Sequence, residues 1–538
     1  MSYQDKKLMI NRLFSLALGV TFLLLVTAGA SAVDRQSPGH LLQKPSQIET
    51  VQIVRNPYLQ LGTPHSVIVR WRTNTPTSSR VTYGLSHNNL TESVLQSAAT
   101  TEHAVTLTGL EPDTTYFYAV GSASAVLAGG DTNHFFLTAP PTGSDRPVRI
   151  WVLGDSGTAN FDAQRVRNAY YAYAVDRHTD LWLMLGDNAY HRGTDAEYQT
   201  AVFDFYPDML RKSVLWPTLG NHDVLSASAA TQSGPYFAIF NLPTMGEAGG
   251  LSSGTEAYYS FDYANIHFIV LDSSETIYAN PAPMLRWLAN DLAATNQVWK
   301  IAYFHHSPYS KGSHDSDTDS LMTRMRTHAL PVLEAGGIDL VLGGHSHNYE
   351  RSYLMNGHYG LSTTLNPTMV VDAGDGRPTG DGIYRKLNGA NQGAVYAVVG
   401  CSGGVNLAPL DHPAMVFTAE LPGSAVLEIE GDRLNFKFLD RTGRQSDYFT
   451  INKILPEPTA TPSSTPTATA TRTPTATSTP TETSTPTATP TATETPSPTP
   501  TATESPTPTA TPSPTAPVRS VYLPLITRAI ANPLAVER

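Results

Sequence analysis

The sequence predicts a β-sandwich of about 90 residues followed by a larger α/β domain, and three observations carry that reading. Between Val51 and Pro140 apolar residues alternate along short runs with no helical period between them. From Pro147 to Lys453 buried-type strands alternate with stretches of helical period. Five of those strands run into short polar blocks of Asp, Asn, His and Tyr. In an open α/β sheet such blocks belong at the carboxyl ends of the strands, where ligands bind.

The chain has 538 residues, more than one ordinary domain holds. Its net charge of −11 argues against a nucleic-acid or anionic-membrane binder, whose footprint is a basic patch. The single cysteine, Cys401, excludes an intrachain disulfide framework and a cysteine-rich zinc site.

At the N-terminus Lys6, Lys7 and Arg12 precede the apolar run Leu13–Val26, and Ala30-Ser31-Ala32 follows with small residues. That order is a secretory signal over 1–32. The run is short of the ~20 apolar residues a membrane span requires, so it reads as a cleaved leader rather than an anchor. No other stretch is apolar enough to cross a bilayer, so no transmembrane span is expected in the mature chain, which is placed outside the cell or on its surface.

Within 51–140, SVIVRW (Ser66–Trp71) puts Val67, Val69 and Trp71 on one face. TTYFYAV (Thr114–Val120) does the same with Tyr116, Tyr118 and Val120. The turn LEPDTTY places Tyr116 at the start of a late strand, as at the tyrosine corner of immunoglobulin-type sandwiches.

Within 147–453, VRIWVLGD (Val148–Asp155) and LWLMLGD (Leu181–Asp187) read as buried strands, with a helical stretch at Phe161–Val175. IHFIVLDS (Ile266–Ser273) precedes a second helix candidate at Pro283–Ala294. WKIAYFHH (Trp299–His306) and IDLVLGGH (Ile338–His345) follow, and the region ends in β pattern at Val395–Gly400, Ala425–Glu430, Leu434–Asp440 and Tyr448–Ile454.

From 456 to 517 the chain is Thr, Pro, Ala and Ser with scattered Glu. With almost nothing apolar to bury it cannot offset the entropy of ordering, and it reads as an extended disordered stalk open to O-glycosylation. The final segment, 518–538, is interrupted by Pro524 and Pro533. It reads equally as a surface-retention tag or a plain tail, and the stalk offers a route of attachment to a cell envelope.

The five polar blocks are GDSG (Gly154–Gly157), GDNAY (Gly186–Tyr190), GNHD (Gly220–Asp223), HHSPY (His305–Tyr309) and GHSHNYER (Gly344–Arg351). Two carboxylates, an amide and at least three imidazoles are too many donors for one tetrahedral ion. They suit two ions ~3.5–4 Å apart sharing a carboxylate, drawn from the hard-to-borderline metals.

In this order the five blocks resemble the metallophosphoesterase (calcineurin-like) signature, specifically that of the purple acid phosphatases. The opening NPYLQLGTPHSVIVRW is similar to that family's fibronectin-III-like N-terminal domain. The resemblance implies a fibronectin-III-like sandwich followed by two β-sheets flanked by helices. It implies Fe(III) plus a divalent ion, Zn, Fe or Mn, with Asp155, Tyr190 and His347 on the first metal. Asp187 would bridge, and Asn221, His345 and one histidine of the HHSPY block would bind the second. Either His305 or His306 fits that last place; alternation along IAYFHH sends them to opposite faces, and the turn spacing favours His305. His222 and His314 take the places of substrate-contacting, transition-state groups.

Other polar residues carry bland readings. His267, His358 and His412 take no role, and His191 is a loop or lid residue. The run HDSDTDS imitates a calcium loop, yet Ser320 and Arg326 stand where Gly and Glu are required, so Asp315, Asp317 and Asp319 read as a solvated loop. VDAGDG (Val371–Gly376) reads as a turn, Asn89 heads a glycosylation sequon, and Cys401 reads as a small buried side chain.

The reaction implied is hydrolysis of phosphomonoesters, small-molecule or protein-borne, by in-line attack of a metal-activated hydroxide. A phosphodiesterase or nucleotidase would keep the same ligands and differ in pocket loops. A reading of another class is a surface adhesion protein on a spent hydrolase scaffold. No oligomeric state is specified.

Overall fold

Two long strands organise the N-terminal domain of the computed structural model, which describes residues 50–454. The expected leader (1–32), stalk (456–517) and C-terminal segment (518–538) lie outside the described residues. Strand β1 (Ile53–Gln60) is followed by β2 (Ser66–Gly84), β3 (Glu92–Thr108), β4 (Thr115–Gly121), β5 (Val126–Gly129) and β6 (Phe135–Leu137). The first half of β2 pairs with β1 and the second half with β4, while β3 runs antiparallel along both halves.

Val67, Val69, Trp71, Tyr118 and Val120 are buried, as period-two alternation requires. The Tyr116 hydroxyl accepts a 3.1 Å bond from the Glu111 backbone N–H, closing the tyrosine corner. Arg55, Arg70 and Gln60 are buried too, although alternation alone would leave such residues in solvent. They meet the next domain. Arg70 donates to Asn241 Oδ1 (3.0 Å) and the Ala238 carbonyl (2.7 Å), and the Asn241 N–H donates to Gln60 Oε1 (3.0 Å).

The second domain starts with β7 (Val148–Leu153), β8 (Leu181–Met184) and β9 (Val214–Pro217), which run parallel. Next come β10 (Tyr259–Tyr263), β11 (Ile266–Val270), β12 (Trp299–His306), β13 (Leu340–Gly344) and β14 (Tyr349–Ser352). A ribbon of β15 (Leu354–Met355) and β16 (Val370–Asp372) precedes β17 (Tyr384–Leu387), β18 (Val395–Val399) and β19 (Met415–Ala419). Three antiparallel strands follow: β20 (Gly423–Glu430), β21 (Arg433–Asp440) and β22 (Gln445–Ile454).

Hydrogen bonding sorts these strands into two seven-stranded sheets, β17-β22-β21-β20-β7-β8-β9 and β10-β11-β12-β13-β18-β14-β19. Aromatic stacks join them. Trp216 lies on Phe261, and Tyr349 lies on Phe438, each pair 3.9 Å between ring centroids. The Tyr303 and Tyr259 hydroxyls donate across to the carbonyls of Trp216 (3.2 Å) and Pro217 (2.7 Å), so their polar tips are satisfied inside the core.

Helices cover the outer faces. Phe161–Tyr173 is N-capped by Asn160, whose side chain accepts from the Ala163 N–H. It ends two residues before the expected Val175, tightening into a 3₁₀ turn over Ala174–Asp176. Helix Ala282–Ala294 buries Met284, Leu288 and Leu292 in a cluster with Ile269, Ala302 and Phe304 of the other sheet. No helix among the described residues is long and apolar enough to cross a membrane.

Candidate metal centre

The five polar blocks meet at one place because both sheets present the carboxyl ends of parallel strands there. β7 runs into Asp155, β8 into Asp187 and Tyr190, and β9 into Asn221 and His222. In the facing sheet β12 ends on His305 and His306, and β13 runs into His345. Asp155, Asp187 and His345 have φ of 53°, 51° and 69°. Aspartate tolerates the left-handed region; histidine there costs on the order of 1–3 kcal/mol, a strain typical of functional sites. Two glycines let the tips approach. A Cβ on Gly186 would lie 2.7 Å from His305 Nδ1, and one on Gly220 would lie 2.1 Å from the Asp187 backbone nitrogen.

One set of donors gathers on Asp155. The Tyr190 hydroxyl donates to Asp155 Oδ1 at 3.1 Å and lies 3.2 Å from His347 Nε2, and that nitrogen lies 3.4 Å from the same carboxylate oxygen. A second set gathers on Asn221 Oδ1, with His305 Nε2 at 2.9 Å and His345 Nδ1 at 3.0 Å. Asp187 lies within reach of both, with Oδ1 3.5 Å from His305 Nε2 and close to Asp155.

The ring nitrogens turned away from the cluster are all engaged. His305 Nδ1 donates to the Leu185 carbonyl (3.0 Å), His345 Nε2 faces Asp319 Oδ2 (3.2 Å), and His347 Nδ1 lies 3.3 Å from the Asn406 amide. At His305 and His345 that partner is an acceptor, which holds the proton on the outer nitrogen and leaves the inner one free to bind a cation. Two carboxylates, a phenol, an amide oxygen and three imidazoles therefore fit a pair of borderline-to-hard ions.

Charge and burial oppose each other throughout. Burial raises the Asp155 carboxyl, but the His305 and His347 imidazoles outweigh it and hold the group below the usual carboxylate range. The same carboxylates overcome burial at His305 and His347 and raise both. Burial, then the negative charges of Asp155 and Asp187, push the Tyr190 phenol far up. A cation at this place reverses those contributions and favours the phenolate.

His306 faces a different environment from His305. Its Nδ1 lies 2.9 Å from Ser273 Oγ, and burial followed by the neighbouring imidazoles of His345 and His305 drives its pKa well below the ordinary value. It packs under His345, with ring centroids 4.3 Å apart, rather than reaching Asn221 or Asp187. His222 donates from Nδ1 to the His191 carbonyl at 2.7 Å, leaving Nε2 toward Asp187 at 3.9 Å. His314 stacks on His345 at 3.8 Å.

Two segments have more to do than their sequence context suggests. Asp223 of GNHD is fully buried and accepts from the Gly220 N–H (2.8 Å), Asn188 Nδ2 (3.0 Å) and the Tyr198 hydroxyl (2.6 Å). Burial and then Asp187 push it up to about 7. It ties the β8 and β9 tips together, and a carboxylate closing a polar block at a strand end was the available signal. The solvated-loop reading of Asp315, Asp317 and Asp319 needs correction. Lys311 Nζ bridges Asp315 and Asp317 at 2.8 and 2.9 Å, Asp317 accepts from Ser362, and Asp319 stands against His345. The chain reversal that brings this loop to the centre depends on distant contacts that local sequence does not encode.

Elsewhere, His267 is locked between Asp262 (2.7 Å) and Asp291 (2.8 Å), away from the centre. His358 and His412 are buried beside Tyr309. Cys401 is buried, which pushes its thiol up and keeps it unreactive.

Comparison with known proteins matches residues 148–349 to the calcineurin-like phosphoesterase family and residues 54–136 to the purple acid phosphatase N-terminal domain. The chain is 27% identical over 383 residues to purple acid phosphatase 18 of Arabidopsis thaliana, covering 68% of this chain and 80% of that protein. It is 27% identical over 311 residues to purple acid phosphatase 1 of Ipomoea batatas, covering 55% and 60%. The purple acid phosphatase from yellow lupin (Lupinus luteus) seeds shares the fold, with TM-score 0.55 and 17% identity over 74% of each chain.

Proposed function

This chain belongs to the purple acid phosphatase family of calcineurin-like phosphoesterases, and from that premise we propose an exported two-metal enzyme that hydrolyses phosphomonoesters. The observation that carries the reading is the complete donor set. Asp155, Tyr190 and His347 gather on one side of Asp187, and Asn221, His305 and His345 on the other. The first group would hold Fe(III) and the second a divalent ion, Zn, Fe or Mn, with Asp187 shared. When bound, such a pair supplies Lewis-acid polarisation of the phosphoryl group and an acidified water.

The chain's own residues supply the rest. His305 is the ligand of the HHSPY block, since its free Nε2 is the nitrogen aimed at Asn221 and Asp187. His222, held through Nδ1 by the His191 carbonyl, presents Nε2 to the phosphoryl oxygens, where charge builds in the transition state. His314 is partly exposed beside His345, from where it would hand a leaving alkoxide its proton. The leader would carry the enzyme out of the cell and the stalk would hold the folded head away from a cell envelope.

Parallel assays of the purified chain on a chromogenic phosphomonoester, a phosphodiester and ATP, together with its metal content, test the reading. Turnover of the monoester at two ions per chain is the expected result. A chain that hydrolyses none of the three would return the domain to a spent scaffold, and a preference for the diester would reassign the substrate.

A further inference from the structure

His345 differs from the other two histidines of the centre in the nitrogen it turns inward. His305 and His347 turn Nε2 toward Asn221 and Asp155, whereas His345 turns Nδ1 toward Asn221 and His305, leaving Nε2 outward. An imidazole can serve as a ligand through Nδ1 only when its proton sits on Nε2. Something must hold it there. The acceptor at that position is Asp319 Oδ2, 3.2 Å from His345 Nε2.

Asp319 is itself immobilised. It is the N-cap of the short helix Ser320–Arg324, and its Oδ1 accepts from the backbone N–H groups of Leu321 (2.9 Å) and Met322 (3.1 Å). One oxygen is thus fixed by the helix, and the other is delivered to the histidine. The same Oδ2 lies 3.7 Å from His314 Nδ1, and the His314 ring covers that of His345 at 3.8 Å.

We infer that Asp319 is a positioning residue that locks His345 in the tautomer required of a ligand to the second metal, and so sets the affinity of that metal alone. The inference rests on the two-metal reading above. Asp319→Asn separates the two jobs of the side chain. Asparagine caps helices as well as aspartate, so Oδ1 keeps its partners. Its amide NH2 then faces His345, where a donor meets a donor. The ring relieves the conflict by moving its proton to Nδ1, which removes the lone pair from the centre.

The experiment loads the full chain with iron, titrates Zn(II) at buffered free concentrations and measures bound metal by mass spectrometry. Iron content and the visible absorption of the Tyr190 site are recorded in parallel. For Asp319→Asn the second ion should bind about 10–100-fold more weakly, the loss expected for removing an outer partner of a metal-bound histidine, with iron and colour unchanged. Asp319→Ser, which retains a capping oxygen but cannot reach His345, should do the same. Asp317→Asn is the control, because Asp317 bonds Ser362 and Lys311 in the same loop. It should leave the second ion's affinity within about threefold of wild type, well below that loss. Equal Zn(II) affinity in wild type and Asp319→Asn overturns the inference while the two-metal reading stands. So does an equal loss in Asp317→Asn. A third ion per chain that disappears with Asp319 would make the carboxylate a ligand and overturn it as well. A wild-type chain holding fewer than two ions overturns both.

Discussion

The Tyr190 phenol donates a 3.1 Å hydrogen bond to Asp155 Oδ1, a carboxylate that is almost completely buried. Burial and the charges of Asp155 and Asp187 keep the phenol protonated in the absence of a cation. Asp155 and Tyr190 would hold a trivalent ion here, whose charge would favour the phenolate. The iron-loaded chain should therefore be coloured through phenolate-to-iron charge transfer, and Tyr190→Phe should be bleached while retaining its fold. Visible spectra with iron analysis check this. A colourless, iron-free and fully active wild type would return Tyr190 to packing.

Asp187 lies within reach of both donor groups. Its Oδ1 also accepts from the His222 N–H at 2.9 Å. Asp187→Asn removes the shared charge with little change in shape. Activity should fall by at least 10²–10³-fold, as when a single transition-state-stabilising group is lost. Steady-state kinetics with metal content measured on the same samples will tell, and unchanged turnover would sink the catalytic reading.

His314 is a partly exposed imidazole beside His345, and the role proposed for it is to protonate a leaving group. A good leaving group needs little help. His314→Ala should reduce turnover of an alkyl phosphate by about 10²-fold or more and that of a nitrophenyl phosphate much less. Equal losses on both substrates would assign His314 to binding instead.

Arg55 and Arg72 of the sandwich converge on Asp195, with Arg55 Nη2 2.8 Å and Arg72 Nη1 2.6 Å from its carboxylate. Asp195 opens a helical turn whose capping box joins Thr194 and Glu197, and Glu197 accepts from the His191 and Arg192 N–H groups. The His191 carbonyl in turn holds His222. The sandwich thus connects to the proposed substrate-contacting His222 through Asp195, Glu197 and His191. Arg55 is fully buried, whereas Asp195 is 44% exposed. Asp195→Ala should cost about 1–3 kcal/mol, less than severing a wholly buried pair, because water partly replaces the lost partner. Denaturant unfolding measures the cost, and a several-fold fall in kcat at nearly constant KM should accompany it.

His267 is raised to about 9, since hydrogen bonds and charges from Asp262 and Asp291 outweigh burial. A folded pKa above the unfolded value of ~6.5 means the pair stabilises fully below about pH 6.5, and that contribution is lost as pH rises through about 9. The melting temperature should decline across that window in the wild type and stay flat in His267→Gln. The variant itself should be less stable at pH 6, because two carboxylates then face each other without a cation.

Local pattern alone accounts for much of this fold. Alternation along SVIVRW predicts the buried Val67, Val69 and Trp71, and LEPDTTY predicts the Tyr116 hydrogen bond. Both depend only on local period and turn chemistry. The polar blocks at strand ends carry the donor types of the centre, since a metal requires particular atoms and a sheet delivers them only at its carboxyl edge.

What those donors do to one another depends on long-range packing. β20 pairs antiparallel with β7, Ala425 opposite Val152, across more than half of the chain, and no local pattern encodes that partner. Alternation separates His305 from His306, but their roles diverge because one meets Leu185 and Asn221 and the other meets Ser273. Asp319 reads as solvent-facing in a run of Asp and Ser, yet packing turns one of its oxygens onto His345. Periodicity assigns a side chain to a face. Which nitrogen of a ring holds its proton, and which loop carboxylate receives it, is set by neighbours brought together from distant parts of the chain.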